Sequence, residues 1–182
     1  MKKLLSFFMV FAIVLLWSCK DSGKSTTAAD STTNSGTDTL TYPYKATYSS
    51  SVTIGSAKNS QLTLQSYKDW EDNHLSNAPA YFADTVTMIF PNGTLIKMGR
   101  DSLVRVFQKY RDSLITSKLE IQAWTSLHST DKNEDWVNVW YKQTDHYKIG
   151  KIDSAIYEDD NRIVNGKIDY VSSKMQKFKK AK

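Results

Sequence analysis

One cysteine, Cys19, in 182 residues excludes a disulfide within the chain. The three histidines, His74, His128 and His146, lie far apart and lack the local spacing of the usual zinc motifs. No metal site is expected from them. Gly-rich phosphate loops and G-x-S-x-G nucleophile turns are also missing, so neither nucleotide cradling nor the hydrolase elbow is written in the chain, and no cofactor is expected. Nor does one sign of charge dominate. The 24 Lys and Arg against 19 Asp and Glu give +5, and removal of Lys2 and Lys3 with a cleaved leader would lower this to +3. So small an excess is no electrostatic footprint for nucleic acid. The apolar run from Leu4 to Trp17, broken by Ser6, falls short of the roughly 20 residues that a spanning helix needs.

What is present begins with that run. Met1-Lys2-Lys3 is a short basic start, and the apolar stretch behind it has signal-peptide size. It ends in Leu16-Trp17-Ser18-Cys19, which resembles the lipobox of bacterial lipoproteins. The resemblance implies a signal peptide over 1–18, cleavage before Cys19 and a diacylglyceryl thioether on that cysteine. Each buried CH₂ contributes about 0.8 kcal/mol, so two or three acyl chains hold a protein on a membrane without a spanning helix. An ordinary secretory signal with a stray cysteine is the alternative. Lys20 stands where an Asp favours inner-membrane retention in proteobacterial lipoproteins. The expected address is the cell envelope, lipid-anchored, with the outer membrane favoured.

Lys20 to Asp38 is rich in Ser, Thr, Gly, Asp and Asn, without a large apolar residue. It cannot bury enough surface to offset ordering entropy, so 19–40 is expected to be a tether. The folded unit is expected within 41–182, closing on a basic tail of Lys174, Lys177, Lys179, Lys180 and Lys182. That tail reads as a solvated end, with contact to anionic lipid headgroups as the second reading.

Within this unit, Asn59 to Leu75 has helical spacing, with Leu64, Tyr67 and Trp70 near one face. A short helical turn is expected over Ala80 to Ala83, after Pro79. Val86 to Phe90 reads as a strand, Pro91-Asn92-Gly93 as a turn and Thr94 to Lys97 as the returning strand. Asp101 or Ser102 is the expected cap of a helix whose apolar face is Leu103, Phe107, Tyr110 and Leu114. Extended segments follow at Leu119 to Leu127, Trp136 to Thr144, Ile149 to Glu158 and Ile163 to Val171. Asp131 to Glu134 and Asp159-Asp160-Asn161 are read as turns, and Asn165-Gly166 as a bulge or turn. Leu40 to Ile54 is read as an edge or a lead-in.

This order of elements resembles the SnoaL-like, nuclear transport factor 2-like proteins. The residues that carry the likeness are Tyr81-Phe82-Ala83-Asp84 before Val86-Thr87-Met88, and Asn92-Gly93 before Gly99-Arg100-Asp101-Ser102-Leu103. Trp136 to Trp140 and Asn165-Gly166-Lys167-Ile168 add to it. The resemblance implies an α+β fold, a cone-shaped bent antiparallel sheet wrapped against about three helices. It also implies homodimerisation through the outer sheet face as one assembly, with the oligomeric state left open. In such a cone Tyr67, Trp70, Phe82, Met88, Phe90 and Phe107 are the expected pocket lining, with Asp153 as a polar member. The bland reading of each aromatic is plain core.

Ketosteroid isomerases of this fold use a first-helix Tyr and a late-strand Asp as an oxyanion hole, and a first-strand Asp as base. By resemblance Tyr67 and Asp153 match the first two roles, but Phe90 stands at the base position, and a phenyl ring takes no proton. The catalytic residues are therefore unassigned, and Asp84 reads as a cap or turn residue. Two functions follow. One is a non-catalytic, membrane-anchored domain that binds a small apolar or amphipathic ligand or a protein partner. The other is a small isomerase, dehydratase or hydrolase working in the cone.

Overall fold

The computed structural model describes residues 41–178. The chain divides between Pro43 and Tyr44, and the second unit is the α+β domain described below. Its elements are β1 (Val52–Ile54), α1 (Ala57–Glu71), a 3-10 turn (Leu75–Asn77), α2 (Ala78–Tyr81), β2 (Phe82–Ile89), β3 (Leu95–Gly99), α3 (Arg100–Arg111), β4 (Leu114–Ser129), β5 (Glu134–Tyr147), β6 (Ile152–Val164) and β7 (Lys167–Lys177). Cys19 and the whole of 1–40 lie outside the described residues.

The strands form one seven-stranded sheet in the order β1-β4-β5-β6-β7-β2-β3. The long strands β4 to β7 pair antiparallel. The expected all-antiparallel sheet needs one correction, because β2 runs parallel to β7. A long crossover makes this pairing available, since β3, α3 and three long strands intervene.

Local chemistry explains most of the boundaries. Ser56 caps α1, its Oγ accepting from the Lys58 N–H at 3.2 Å, which satisfies one free donor of the first turn. Pro79 sits in the first turn of α2, where its missing N–H is harmless. Gly99, not Asp101 or Ser102, occupies the N-cap of α3, without a side-chain cap bond, and Asp101 lies in the first turn beside the positive helix end. Asn165 and Gly166 both adopt positive φ, 51° and 69°, and close the tight β6–β7 turn. Asp159-Asp160-Asn161 is not a turn but mid-β6. Leu114 is not on the α3 face. The helix stops at Arg111, and Leu114 opens β4 as a buried residue.

The core lies on the helix-covered face. Val137, Val139 and Tyr141 of β5, Ile163 of β6, and Ile168 and Val171 of β7 form it. Leu62, Leu64 and Tyr67 of α1 pack against it, as do Tyr81, Phe82, Met88, Leu119 and Tyr157. Full burial of one such aliphatic side chain contributes about 1.5–3 kcal/mol. Val86 and Met88 share a face of β2, as two-residue spacing requires. Val86 is fully buried and Met88 packs on the core.

A candidate functional site between the first helix and the sheet

The alternation along β6 aims Tyr157, Asp159, Asn161 and Ile163 at the helices, and this carries a carboxylate into the core. Asp159 is 6% exposed and Asn161 2%. The Tyr67 hydroxyl of α1 donates to Asp159 Oδ2 at 2.7 Å, and the Tyr141 hydroxyl of β5 donates to the same oxygen at 2.9 Å. Asn161 Nδ2 donates to the Tyr67 oxygen at 3.4 Å and to the Val137 carbonyl at 3.1 Å. Tyr67 meets Tyr141 edge to face, and Tyr157 stacks on Tyr141. Asp159 Oδ1 is buried without a hydrogen-bond partner.

Burial pushes the Asp159 carboxyl above the ordinary carboxylate value. Ser173, its register partner on β7, and the two tyrosine hydroxyls oppose the shift without cancelling it. Burial, then the Asp159 charge, pushes both Tyr67 and Tyr141 well up, so both remain donors at ordinary pH. Burial also pushes Tyr157 up to about 12. The cluster is a buried carboxyl that accepts from two phenols through one oxygen.

A second network lies at the other end of α1. Trp70 Nε1 donates to Ser117 Oγ at 3.1 Å, and Ser117 donates to Asp145 Oδ1 at 2.6 Å. The Tyr110 hydroxyl donates to Asp145 Oδ2 at 2.9 Å and lies 2.8 Å from the Tyr147 hydroxyl. Trp70 stacks on Tyr110 and meets Phe107 edge to face. A third carboxylate, Asp69, accepts from Tyr81, Asn77 and Gln65 at 2.6, 2.9 and 3.3 Å. Burial works to raise its pKa, but these three bonds together hold it below the ordinary range.

Two adjoining depressions open between α1 and β4. The larger, 460 Å³, is lined by Ala57, Ser60, Gln61, Leu64, Gln65 and Trp124. The smaller, 260 Å³, is lined by Leu64, Tyr67, Lys68, Glu71, Leu119, Ile121 and Trp124. Leu64 and Trp124 are common to both, so they form one groove. The Trp124 indole, 53% exposed, stands on its rim. Glu71 Oε2 accepts from the Leu119 N–H at 3.3 Å and fixes the helix end to the strand.

The seven residues expected to line one cavity fall at several places in the fold. Tyr67 lines the groove. Trp70, Phe82, Met88, Phe90, Phe107 and Asp153 line neither depression. Phe82 and Met88 are core, and Trp70 and Phe107 pack on each other. Phe90 lies beyond β2 in the hairpin, where its N–H donates to the Thr94 carbonyl and its own carbonyl accepts from Gly93. Asp153 accepts from Lys151 at 3.1 Å and lies 3.6 Å from Lys177 Nζ, and hydrogen bonding to Lys151 holds its pKa below the ordinary value. The late-strand carboxylate on Tyr67 is Asp159, not Asp153. Asp84 is exposed and pairs with Arg100 at 2.8 Å. Among the described residues no group of three or more His, Cys, Asp or Glu could hold a metal.

No family profile matches the chain, and no curated protein sequence does. Solved structures do match it in fold. A candidate polyketide cyclase from Acidithiobacillus ferrooxidans superposes with TM-score 0.56 at 12% identity, covering 66% of this chain and 89% of that one. An LEH-like epoxide hydrolase from M. tuberculosis gives TM-score 0.56 at 7% identity, over 65% and 83%. An NTF2-like protein of unknown function from Burkholderia pseudomallei gives 0.54 at 15% identity, over 66% and 92%. At such identities the likeness is one of fold.

Proposed function

We propose, from the premise that this chain carries the nuclear transport factor 2-like, SnoaL-like fold, that it is an exported, lipid-anchored binding domain without catalytic activity. Its ligand is a small apolar or amphipathic molecule seated in the groove between α1 and β4. The observation that carries this reading is the groove itself. Leu64, Leu119 and Ile121 offer an apolar floor and wall, the half-exposed Trp124 offers a ring to close over a ligand, and Gln61, Gln65 and Lys68 supply a few polar contacts at the rim. Mostly apolar lining with sparse polar groups is the usual character of a small-molecule site. Lys68 and Glu71, the charged groups that line it, pair with each other at 3.5 Å. The Asp159 cluster is closed by its own tyrosines.

The test is a titration with decanoate, followed by tryptophan fluorescence, with Trp124→Phe to assign the signal. Saturable binding that Leu64→Arg removes supports the reading. Binding unchanged by Leu64→Arg overturns it.

One observation favours a second reading, a small enzyme of isomerase, dehydratase or hydrolase type. Burial raises the pKa of the Asp159 carboxyl, which accepts from Tyr67, and Tyr67 also lines the groove. In its protonated form such a carboxyl is a hydrogen-bond donor to a developing oxyanion. This reading requires turnover that falls sharply in Tyr67→Phe while decanoate affinity stays constant.

A further inference from the structure

The turns of the sheet differ in one respect. Those at Asn92-Gly93, Asp131-Lys132-Asn133 and Asn165-Gly166 are polar, as turns ordinarily are. The β5–β6 turn reads Lys148-Ile149-Gly150-Lys151. Gly150 takes φ +81° and lets the hairpin close, with Tyr147 N–H on the Lys151 carbonyl at 2.8 Å. Ile149 stands 84% exposed at its tip, and Ile152 at the base is 61% exposed.

Other elements bring the same chemistry to this end of the sheet. Ile115, 64% exposed, follows Leu114, which pairs with Tyr147. Lys177, opposite Ala155 on β6, ends β7 beside Asp153, and the exposed Phe178 follows it. The ammonium-bearing side chains of Lys151 and Lys177 are more than half exposed, and Lys148 is exposed too. Asp153 faces Lys151 and Lys177, and Asp112 at the end of α3 is one residue from Ser113, whose carbonyl accepts from the Lys148 N–H. In sequence the chain runs on through Lys179 and Lys180.

We propose that this end of the sheet docks on an anionic lipid surface, with Ile149 and Ile152 entering the interface and Lys148, Lys151 and Lys177 lying among the headgroups. The pairing of apolar and cationic residues at one tip argues for lipid. A hairpin tip with exposed isoleucines and flanking lysines matches a bilayer interface, which is apolar below and negative above. Each lysine near such a surface raises partitioning about fivefold, an effect that salt screens. The surface shares no residue with the groove of α1 and β4, and it stands whether or not that groove takes a ligand.

The test uses the full chain in nanodiscs of phosphatidylcholine, with or without phosphatidylglycerol. Ile149→Cys carries an environment-sensitive nitrobenzoxadiazole dye. Lys132→Cys, in the turn at the other end of β5, is the control, and the unsubstituted chain corrects for dye on Cys19. The expected result is a blue-shifted emission at position 149 in the anionic discs alone, quenched by brominated acyl chains. It should be reversed by Lys148→Glu with Lys151→Glu, with circular dichroism unchanged, and should be absent at position 132. Aqueous emission at 149 in both discs overturns the proposal. An equal shift with and without phosphatidylglycerol overturns the anionic preference on which it stands. A shift that needs no lipid and grows with protein concentration identifies a protein interface instead.

Discussion

Asp159 is the residue whose replacement tests most of the interior at once. Asp159→Ala removes the oxygen that receives both tyrosine hydroxyls. Tyr67 keeps Asn161 as a donor to its oxygen, but neither hydroxyl proton retains its acceptor. A buried polar group left unsatisfied costs about 1–3 kcal/mol, so two such groups cost roughly 2–6 kcal/mol. Loss of a desolvated carboxyl with one unpartnered oxygen offsets part of this. A net loss of about 2–4 kcal/mol follows, a large fraction of the roughly 5–15 kcal/mol that holds a domain folded. Asp159→Asn keeps an acceptor for both hydroxyls and removes the charge. Its effect therefore isolates the ionisation.

The folded pKa of Asp159 is raised, burial being the first cause. The stability that this group contributes is therefore fully present below its unfolded value, near the ordinary carboxylate pKa. It is lost as pH rises through the folded value. The assay is urea unfolding by circular dichroism across a pH series for the wild type and Asp159→Asn. Other titrating groups cancel in the difference. The wild type should lose stability relative to Asp159→Asn as pH rises from about 4, the ordinary carboxylate value, until the carboxyl is fully ionised. A difference that is flat in pH, or that moves in favour of the wild type, would refute the burial argument.

Three further outcomes follow from other parts of the molecule. Gly55→Ala should detach β1, because a Cβ there would meet the Leu127 backbone at 2.9 Å and would clash with Ser126 Oγ. Faster amide exchange at 52–55, with the remainder of the sheet protected, is the check. Arg111 is buried, and its guanidinium donates to the carbonyls of Trp70 and Glu71 at 3.1 and 2.9 Å, closing the end of α1. Arg111→Met should cost about 1.5–3 kcal/mol in urea unfolding, the range for hydrogen bonds to a charged group. Cys19→Ala should abolish fatty-acid incorporation and membrane association together. Equal metabolic labelling of mutant and wild type would end the lipoprotein reading.

The elements were largely legible in the sequence because their signals are local. Clean apolar alternation over Leu119 to Leu127 marked β4, Asn-Gly marked hairpins, and helical spacing marked α1. Relations that depend on distant chain were not legible. Nothing in Phe82 to Ile89 announces a parallel neighbour, since β7 lies more than eighty residues away. Asp159-Asp160-Asn161 has turn composition, yet pairing on both sides by β5 and β7 overrides it and keeps the strand extended. The signal that could have found Asp159 was phase. Tyr157, Asp159, Asn161 and Ile163 share one parity, and an apolar strand face that includes an aspartate calls for buried donors. The same misplaced turn concealed the partner of Tyr67 and left Asp153 in its place. The groove was hidden for another reason. Trp124 and Leu64 lie sixty residues apart, and only the packing of α1 along β4 brings them together.

The most direct test of the account is where a ligand sits. Amide and indole chemical shifts of the isotope-labelled protein, recorded during a decanoate titration, distinguish the groove from the interior. The account predicts saturable changes at Leu64, Leu119, Ile121 and the Trp124 indole, with Phe107 and the Trp70 indole unmoved. Changes centred on Trp70 and Phe107, with Trp124 still, would contradict it.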